Sequence, residues 1–388
     1  MLLVFSDDWG RHPSSCQHLM RRLLDDHRVT WVNTIGMRPP AVNLATARRA
    51  WEKVRHWSQP TAVSVASHPN LRVLNPRMWP WFRRPHDRWL NHRLLLNALR
   101  PVIEQQTEPV TAITTIPIVA DLIGDLLVDH WVYYCVDDFS EWPGLDQRTM
   151  LTMERALIDK CDTLIAASET LQDRLTTWGR RTHLLTHGVD LEFWRQPAAI
   201  STGERPTLAP APRIVFWGVI DRRMDATWVI RLAGDLTAGT IVLVGPLDHP
   251  DERLLRLPRV THLPPQPLAE LPNLAAAADV LVMPYADLPV TRAMQPLKLK
   301  EYLATGKPVV VRDLPSTRPW ADCLDVTSSA EEFSRVVRAR LSGGAPPQQL
   351  AARSRLADES WDIKARVFAD WIFAKNTLTF PRAAVLAP

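Results

Sequence analysis

Two clusters of charged residues stand where the chain changes character, and each could do chemistry. The first lies in residues 294–311. Pro296 suits the first turn of a helix, because its ring fixes φ. Leu297, Leu299, Tyr302, Leu303 and Ala304 give that helix an apolar side, and Gly306 suits a left-handed C-cap. Residues 308–311 then read as a buried parallel strand. Lys298 falls in the first helical turn and Glu301 three residues later, so the two share a face. Beside open N-terminal amides, a cation and a carboxylate can hold a diphosphate and the hydroxyls of a ribose. This would be a nucleotide site without a glycine-rich phosphate loop. A plain Lys–Glu pair on the surface of an ordinary helix has the same spacing.

The second cluster is Asp137 and Asp138, delivered by the apolar run 131–136 to the end of a strand. Paired carboxylates raise one another's pKa, which helps one act as a base. Asp138 is taken first, with Asp137 and His12 held in reserve. An N-cap or a solvated loop would use the same residues. His12 lies in the loop 6–15, which contains Gly10 and enters a helix; such a loop can bind phosphate or an acceptor. Imidazole titrates near neutrality, which suits proton abstraction. No D-x-D motif occurs, so a metal-binding role for the aspartates is discounted and no metal site is expected.

These residues need a scaffold. Strand-like runs at 2–6, 29–33, 71–74, 110–115, 131–136, 163–167 and 183–186 alternate with helix-like runs at 15–26, 86–105, 147–160 and 169–178. The alternation predicts a doubly wound parallel α/β domain over 1–195. Residues 196–212 are rich in proline and read as a linker. The pattern restarts with strands at 214–217, 241–244, 260–262 and 280–283 and helices at 225–236 and 269–277, giving a second such domain over 213–345. Ligands of such sheets bind at the strand C-termini, so the cleft between the domains should hold the site. Residues 346–376 read as helical, with Trp361, Val367, Phe368, Trp371 and Ile372 able to pack on the first domain.

Positions 296–310 resemble the nucleotide-binding motif of glycosyltransferases with the GT-B fold, in which the glutamate binds the donor ribose. Gly218 to Asp225 is similar to the family's G-x-x-D-x-R-x-D segment, which implies that Arg222 and Arg223 lie at the donor diphosphate. Residues 279–284 resemble a scaffold element of the same family. His187, Gly188, Val189 and Asp190 resemble its N/H-G-V-D segment entering the cleft, with Gly188 expected to make a turn. Many inverting members place a basic histidine in the first loop, as His12 would be. A similar aspartate at the strand end serves as base in the glucuronosyltransferase of xanthan synthesis. One departure stands out. Many retaining members carry a second glutamate eight residues upstream, where this chain has Ala293.

The resemblance implies two Rossmann-like domains and a last helix that returns to the first. It implies transfer of a sugar, from a UDP-sugar by preference, to a hydroxyl of a glycan or lipid-linked acceptor. No metal or other cofactor is expected, and the lean is to inversion. A nucleotide-sugar 2-epimerase of the same fold and a non-catalytic nucleotide- or glycan-binding protein remain as alternatives.

Composition narrows the setting. At 388 residues and 46% apolar content the chain can bury two cores. A net charge of +4 suits anionic partners such as nucleotides or a membrane surface, but nucleic-acid binders cluster their charge more strongly, so none is expected. Cys16, Cys135, Cys161 and Cys323 form no C-x-x-C pair and read as buried thiols. The N-terminus does not read as a signal peptide, and a cytoplasmic location is expected. The loop 77–85 mixes Trp79, Trp81 and Phe82 with Arg77, Arg83 and Arg84, a composition that suits the headgroup layer of a membrane.

Overall fold

The computed structural model describes residues 1–11, 13–35, 68–195 and 211–374. The first domain runs β1 (Leu2–Ser6), α1 (Ser15–Leu23), β2 (Val29–Asn33), β3 (Leu71–Leu74), α2 (Pro85–Glu104), β4 (Thr111–Thr114), β5 (His130–Cys135), α3 (Gln147–Lys160), β6 (Thr163–Ala166), α4 (Glu169–Thr177), β7 (His183–Leu184) and α5 (Leu191–Arg195). Its seven strands are parallel, in the order β3-β2-β1-β4-β5-β6-β7. Because β1 is flanked by β2 and β4, the strand order reverses there, and a crevice opens at the C-terminal ends of β1 and β4. The strands read as unbroken apolar runs because both faces are covered. Leu95, Leu99, Met153 and Leu157 from α2 and α3 pack on one face.

The second domain runs β8 (Arg213–Trp217), α6 (Ala226–Asp235), β9 (Thr240–Val244), β10 (Val260–Leu263), α7 (Leu271–Ala276), β11 (Val280–Met283), α8 (Pro289–Ala293), α9 (Leu297–Ala304), β12 (Val309–Arg312), β13 (Asp325–Thr327) and α10 (Ala330–Gly343). Its six parallel strands are ordered β10-β9-β8-β11-β12-β13, so its reversal lies between β8 and β11. The two sheets are separate, as the alternating pattern predicts.

The chain then crosses back. After α11 (Pro347–Ala352) and a 3-10 turn, α12 (Trp361–Phe373) lies against α1, and Trp361, Ala365, Phe368 and Ile372 close the second face of the first sheet over Leu2, Val4, Leu19 and Trp31. The aromatic spacing of the tail therefore reports a core contact. The proline-rich run assigned to the linker falls mostly at 196–210, outside the described residues.

Several element ends differ from the sequence expectations for local reasons. The first helix stops at Leu23, not at residue 26, since Asp25 and Asp26 would oppose the negative end of the helix dipole. The helix expected from 269 begins at Leu271, after a 3-10 turn, because Pro272 is tolerated only in a first turn. All four cysteines are free and buried. The loop 77–85 does not offer its rings for insertion, which corrects that expectation. Met78 and Phe82 belong to the core, the Trp79 indole donates to Asp87 Oδ1 at 2.8 Å, and Asn91 ties down the backbone of Trp79 and Trp81. Among the described residues, no helix is long and apolar enough to cross a membrane.

Candidate active site

On the nucleotide side, β8 ends in Trp217 and Gly218. Gly218 has φ +136, a conformation that disfavours any side chain, and a Cβ there would lie 2.0 Å from Lys298 Nζ. The missing side chain is what lets the ammonium approach the strand end. Lys298 Nζ sits 4.2 Å from the centre of the Phe216 ring and 5.3 Å from that of Tyr285. Among the described residues it makes no ion pair, so its charge is available to a ligand. Glu301 follows on α9, half-buried, with the Trp217 indole donating to Oε2 at 3.4 Å. Burial pushes its carboxyl up to about 7, and the Trp217 hydrogen bond and the nearby Lys298 charge offset only part of that rise. No side chain caps the start of α9, which leaves first-turn amides open toward a ligand. Gly306 takes φ +75 just past the end of the helix, as its place in the sequence predicts.

The two arginines behave differently from each other. Arg222 is exposed. Arg223 is buried, and its guanidinium is committed to Asp221: Nε lies 3.0 Å from each carboxylate oxygen and Nη2 2.8 Å from Oδ2. The expectation of a fork open to a diphosphate is therefore corrected for Arg223. Its Cζ lies 4.6 Å from the centre of the Trp142 ring, which belongs to the first domain. That ring sits in the loop that carries the aspartate pair.

The two aspartates have unlike surroundings. Asp138 is buried, and its Oδ1 accepts from Ser140 N at 3.1 Å, Ser140 Oγ at 2.5 Å and Arg174 Nη1 at 3.0 Å. Arg174 in turn donates to Glu154 at 2.6 Å, and Glu154 accepts from Tyr133. Asp138 is thus one member of a buried network under the sheet edge, which corrects its place as first candidate for the base. Asp137 makes no side-chain ion pair at contact distance among the described residues. Burial raises its carboxyl to about 7, with Asp138 adding to the rise and Arg223 opposing it. That value suits a base near neutrality.

Residues 187–190 form a joint between the domains, not an open part of the cleft. His187 is buried, its backbone N–H donates to Gln295 Oε1 at 3.0 Å, and its carbonyl accepts from Lys300 Nζ. Both of its ring nitrogens lack hydrogen-bond partners, and burial holds its pKa down at about 3, so the ring is neutral. Gly188 does not adopt a left-handed turn. A Cβ there would lie 2.8 Å from Trp361, so its role is to admit the returning helix. Lys300 also pairs with Glu359 at 2.5 Å, and Glu359 with Lys364 at 2.7 Å. In the first loop, the Gly10 N–H donates to Gln17 Oε1 at 3.0 Å, and Gln17 donates to Asp7. His12 lies outside the described residues. Ala293 is buried against the first domain, and its carbonyl accepts from Ser168 Oγ at 2.5 Å.

Over 95% of this chain and 97% of the other, the structure superposes on sucrose-phosphate synthase from Thermosynechococcus elongatus with a TM-score of 0.70 at 17% identity. The Anabaena protein HepE, solved with UDP and glucose, gives 0.66 at 15% identity over 96% of this chain and 99% of that one. The chain has the GT-B fold. Residues 211–339 match the family described as Glycosyl transferases group 1. In sequence, the chain is 33% identical over 181 residues to the putative teichuronic acid biosynthesis glycosyltransferase TuaH of Bacillus subtilis, a match that spans 44% of this chain and 45% of that protein. The chain thus covers a little under half the length of that relative.

The GT-B frame also shows what sequence reasoning passed over. Trp217, Trp142, Arg174 and Lys300 all hold functional side chains in place. Trp217 was within reach, since it stands one residue before Gly218 at a strand end. Arg174 was not, because its partners lie 20 and 36 residues away and only the fold brings them together.

Proposed function

We propose that this protein transfers a sugar from a nucleotide diphosphate sugar, a UDP-sugar by preference, to a hydroxyl of a glycan or lipid-linked acceptor. The observation that carries the reading is the cluster of Gly218, Lys298 and Glu301 on one domain, with the Asp137 loop touching Arg223 from the other. A nucleotide on the second domain would give its ribose hydroxyls to Glu301 and its diphosphate to Lys298 and the first-turn amides of α9. These fixed positive groups would stabilise the leaving diphosphate, so no resident metal or other cofactor is invoked. Arg222 is exposed and free to add to that charge.

Asp137 is the base in this reading. It takes the proton of the acceptor hydroxyl while the acceptor oxygen bonds to the anomeric carbon. The bond from that carbon to the diphosphate breaks, and the diphosphate leaves with the electron pair. Attack from the face opposite the leaving group inverts the anomeric centre, and Ala293 in place of the upstream glutamate fits that course. The kinship with the teichuronic acid glycosyltransferase supports an acceptor in cell-envelope polysaccharide synthesis, at the cytoplasmic face of a membrane.

The test is incubation with labelled UDP-sugars and membranes, followed by anomeric analysis of the product. Asp137→Asn should abolish transfer and leave UDP-sugar affinity nearly unchanged. Formation of a free epimer would refute the transfer reading, and binding without turnover under every donor would reduce the protein to a binding module.

A further inference from the structure

The proposed base and the nucleotide site belong to different domains, so catalysis needs a feature that couples them. Arg223 stands at that boundary. Two ties make it stiff. Asp221 clamps the guanidinium at 2.8–3.0 Å through both carboxylate oxygens. The Arg223 carbonyl accepts from Ala286 N at 2.7 Å, which fastens it to the segment that leads into α8 and α9. From this mount the guanidinium reaches across to lie on Trp142, five residues beyond Asp137 in the same loop.

We propose that Arg223 is an interdomain positioning residue, which lays its charge beside Asp137 when the domains close and so makes the base competent only in the closed enzyme. The proposal rests on the reading of Asp137 as the base. The described charged and titratable groups facing Asp137 are Arg223, Asp138 and Tyr134. Asp138 adds like charge, and Tyr134 is held neutral because burial pushes its hydroxyl well above the ordinary value. Of the three, Arg223 alone favours the carboxylate. A cation fixed to the nucleotide domain therefore reports to the acceptor domain that the two have met. An open enzyme would hold a protonated, idle Asp137, which protects the donor from activating water in place of the acceptor.

The experiment measures kcat against pH for the full chain with a UDP-sugar and its acceptor, alongside donor affinity by calorimetry. In Arg223→Gln the acid limb should move up by about one pH unit, which lowers kcat at pH 7 by roughly fivefold and restores it near pH 9, with donor Kd changed less than about twofold. Arg223→Lys, which keeps the charge, should recover part of the limb. Trp142→Ala should move the limb the same way by a smaller amount, and it carries the test if Arg223→Gln does not fold. An unmoved limb in both the Arg223→Gln and Trp142→Ala variants overturns the proposal. A large loss of donor affinity with no shift also overturns it and returns Arg223 to the diphosphate. If Asp137→Asn keeps transfer activity, the base assignment itself has failed, and that outcome is distinct from both.

Discussion

If Glu301 must be ionised to accept both ribose hydroxyls, donor binding should depend on pH in a way that a simple surface carboxylate would not show. Burial places the Glu301 carboxyl at about 7 in the free protein. At about pH 6 only about one molecule in eleven then carries the carboxylate, against about ten in eleven at pH 8. UDP-glucose has no proton of its own to lose in this range. Its Kd should therefore tighten about tenfold between pH 6 and 8, which corresponds to about 1.4 kcal/mol. Below the midpoint, binding should release close to one proton, visible as a calorimetric enthalpy that varies with the ionisation enthalpy of the buffer. Glu301→Gln keeps the size of the side chain but not the charge, so it should flatten the pH dependence and weaken binding at pH 8 by about ten- to a hundredfold, the loss of a charged acceptor bond. A 2′,3′-dideoxy donor should show neither effect. If parent and Gln variant keep the same slope, or if the dideoxy donor loses as much as the ribose one, Glu301 does not bind the ribose and the nucleotide site must be redrawn.

Three further outcomes follow from the same geometry. Stability should respond to Glu301 with the opposite sign to binding: its folded pKa is raised from 4.5 to about 7, so its contribution is present below about 4.5 and is lost as pH rises through 7, and Glu301→Gln should melt above the parent at pH 8 but not at pH 4, as read by calorimetric melting. Asp138→Asn should cost about 3 kcal/mol in urea unfolding, the low end for a broken buried pair because Arg174 keeps Glu154; a variant of parental stability would contradict the network role. Gly218→Ala should displace Lys298 and lower UDP-sugar affinity by about tenfold or more while the fold survives, and unchanged affinity would remove Lys298 from the donor site.

The architecture was legible in the sequence where periodicity and punctuation agree. The strands at 2–6, 29–33 and 280–283 are continuous apolar runs, and the proline, apolar face and glycine of 296–306 mark both ends of α9. β13 escaped notice because three residues carry no pattern, and α10 follows it directly. At the site, Glu301 and Lys298 were readable because helix spacing alone puts them on one face. The choice between Asp137 and Asp138 was not, since two adjacent carboxylates differ only in what distant residues bring to them. Arg174 arrives from α4 to occupy one, and Arg223 arrives from the other domain to face its neighbour. His187 and Gly188 misled for a related reason: a loop at a strand end looks like a ligand contact until the end of the chain packs on it.

The return of α12 has a consequence for how the molecule is made. The face of the first sheet bearing Leu2, Val4, Leu19 and Trp31 is closed by Trp361, Phe368 and Ile372, which are synthesised more than 300 residues later. A domain that leaves the ribosome first is therefore finished last. While the second domain is being translated, the earlier one carries an uncovered strip of apolar surface, the kind of patch that recruits chaperones or sticks to a neighbouring nascent chain. The order of synthesis thus leaves the acceptor half dependent on the nucleotide half: neither the cleft nor the domain on its far side is complete until the last helix has emerged.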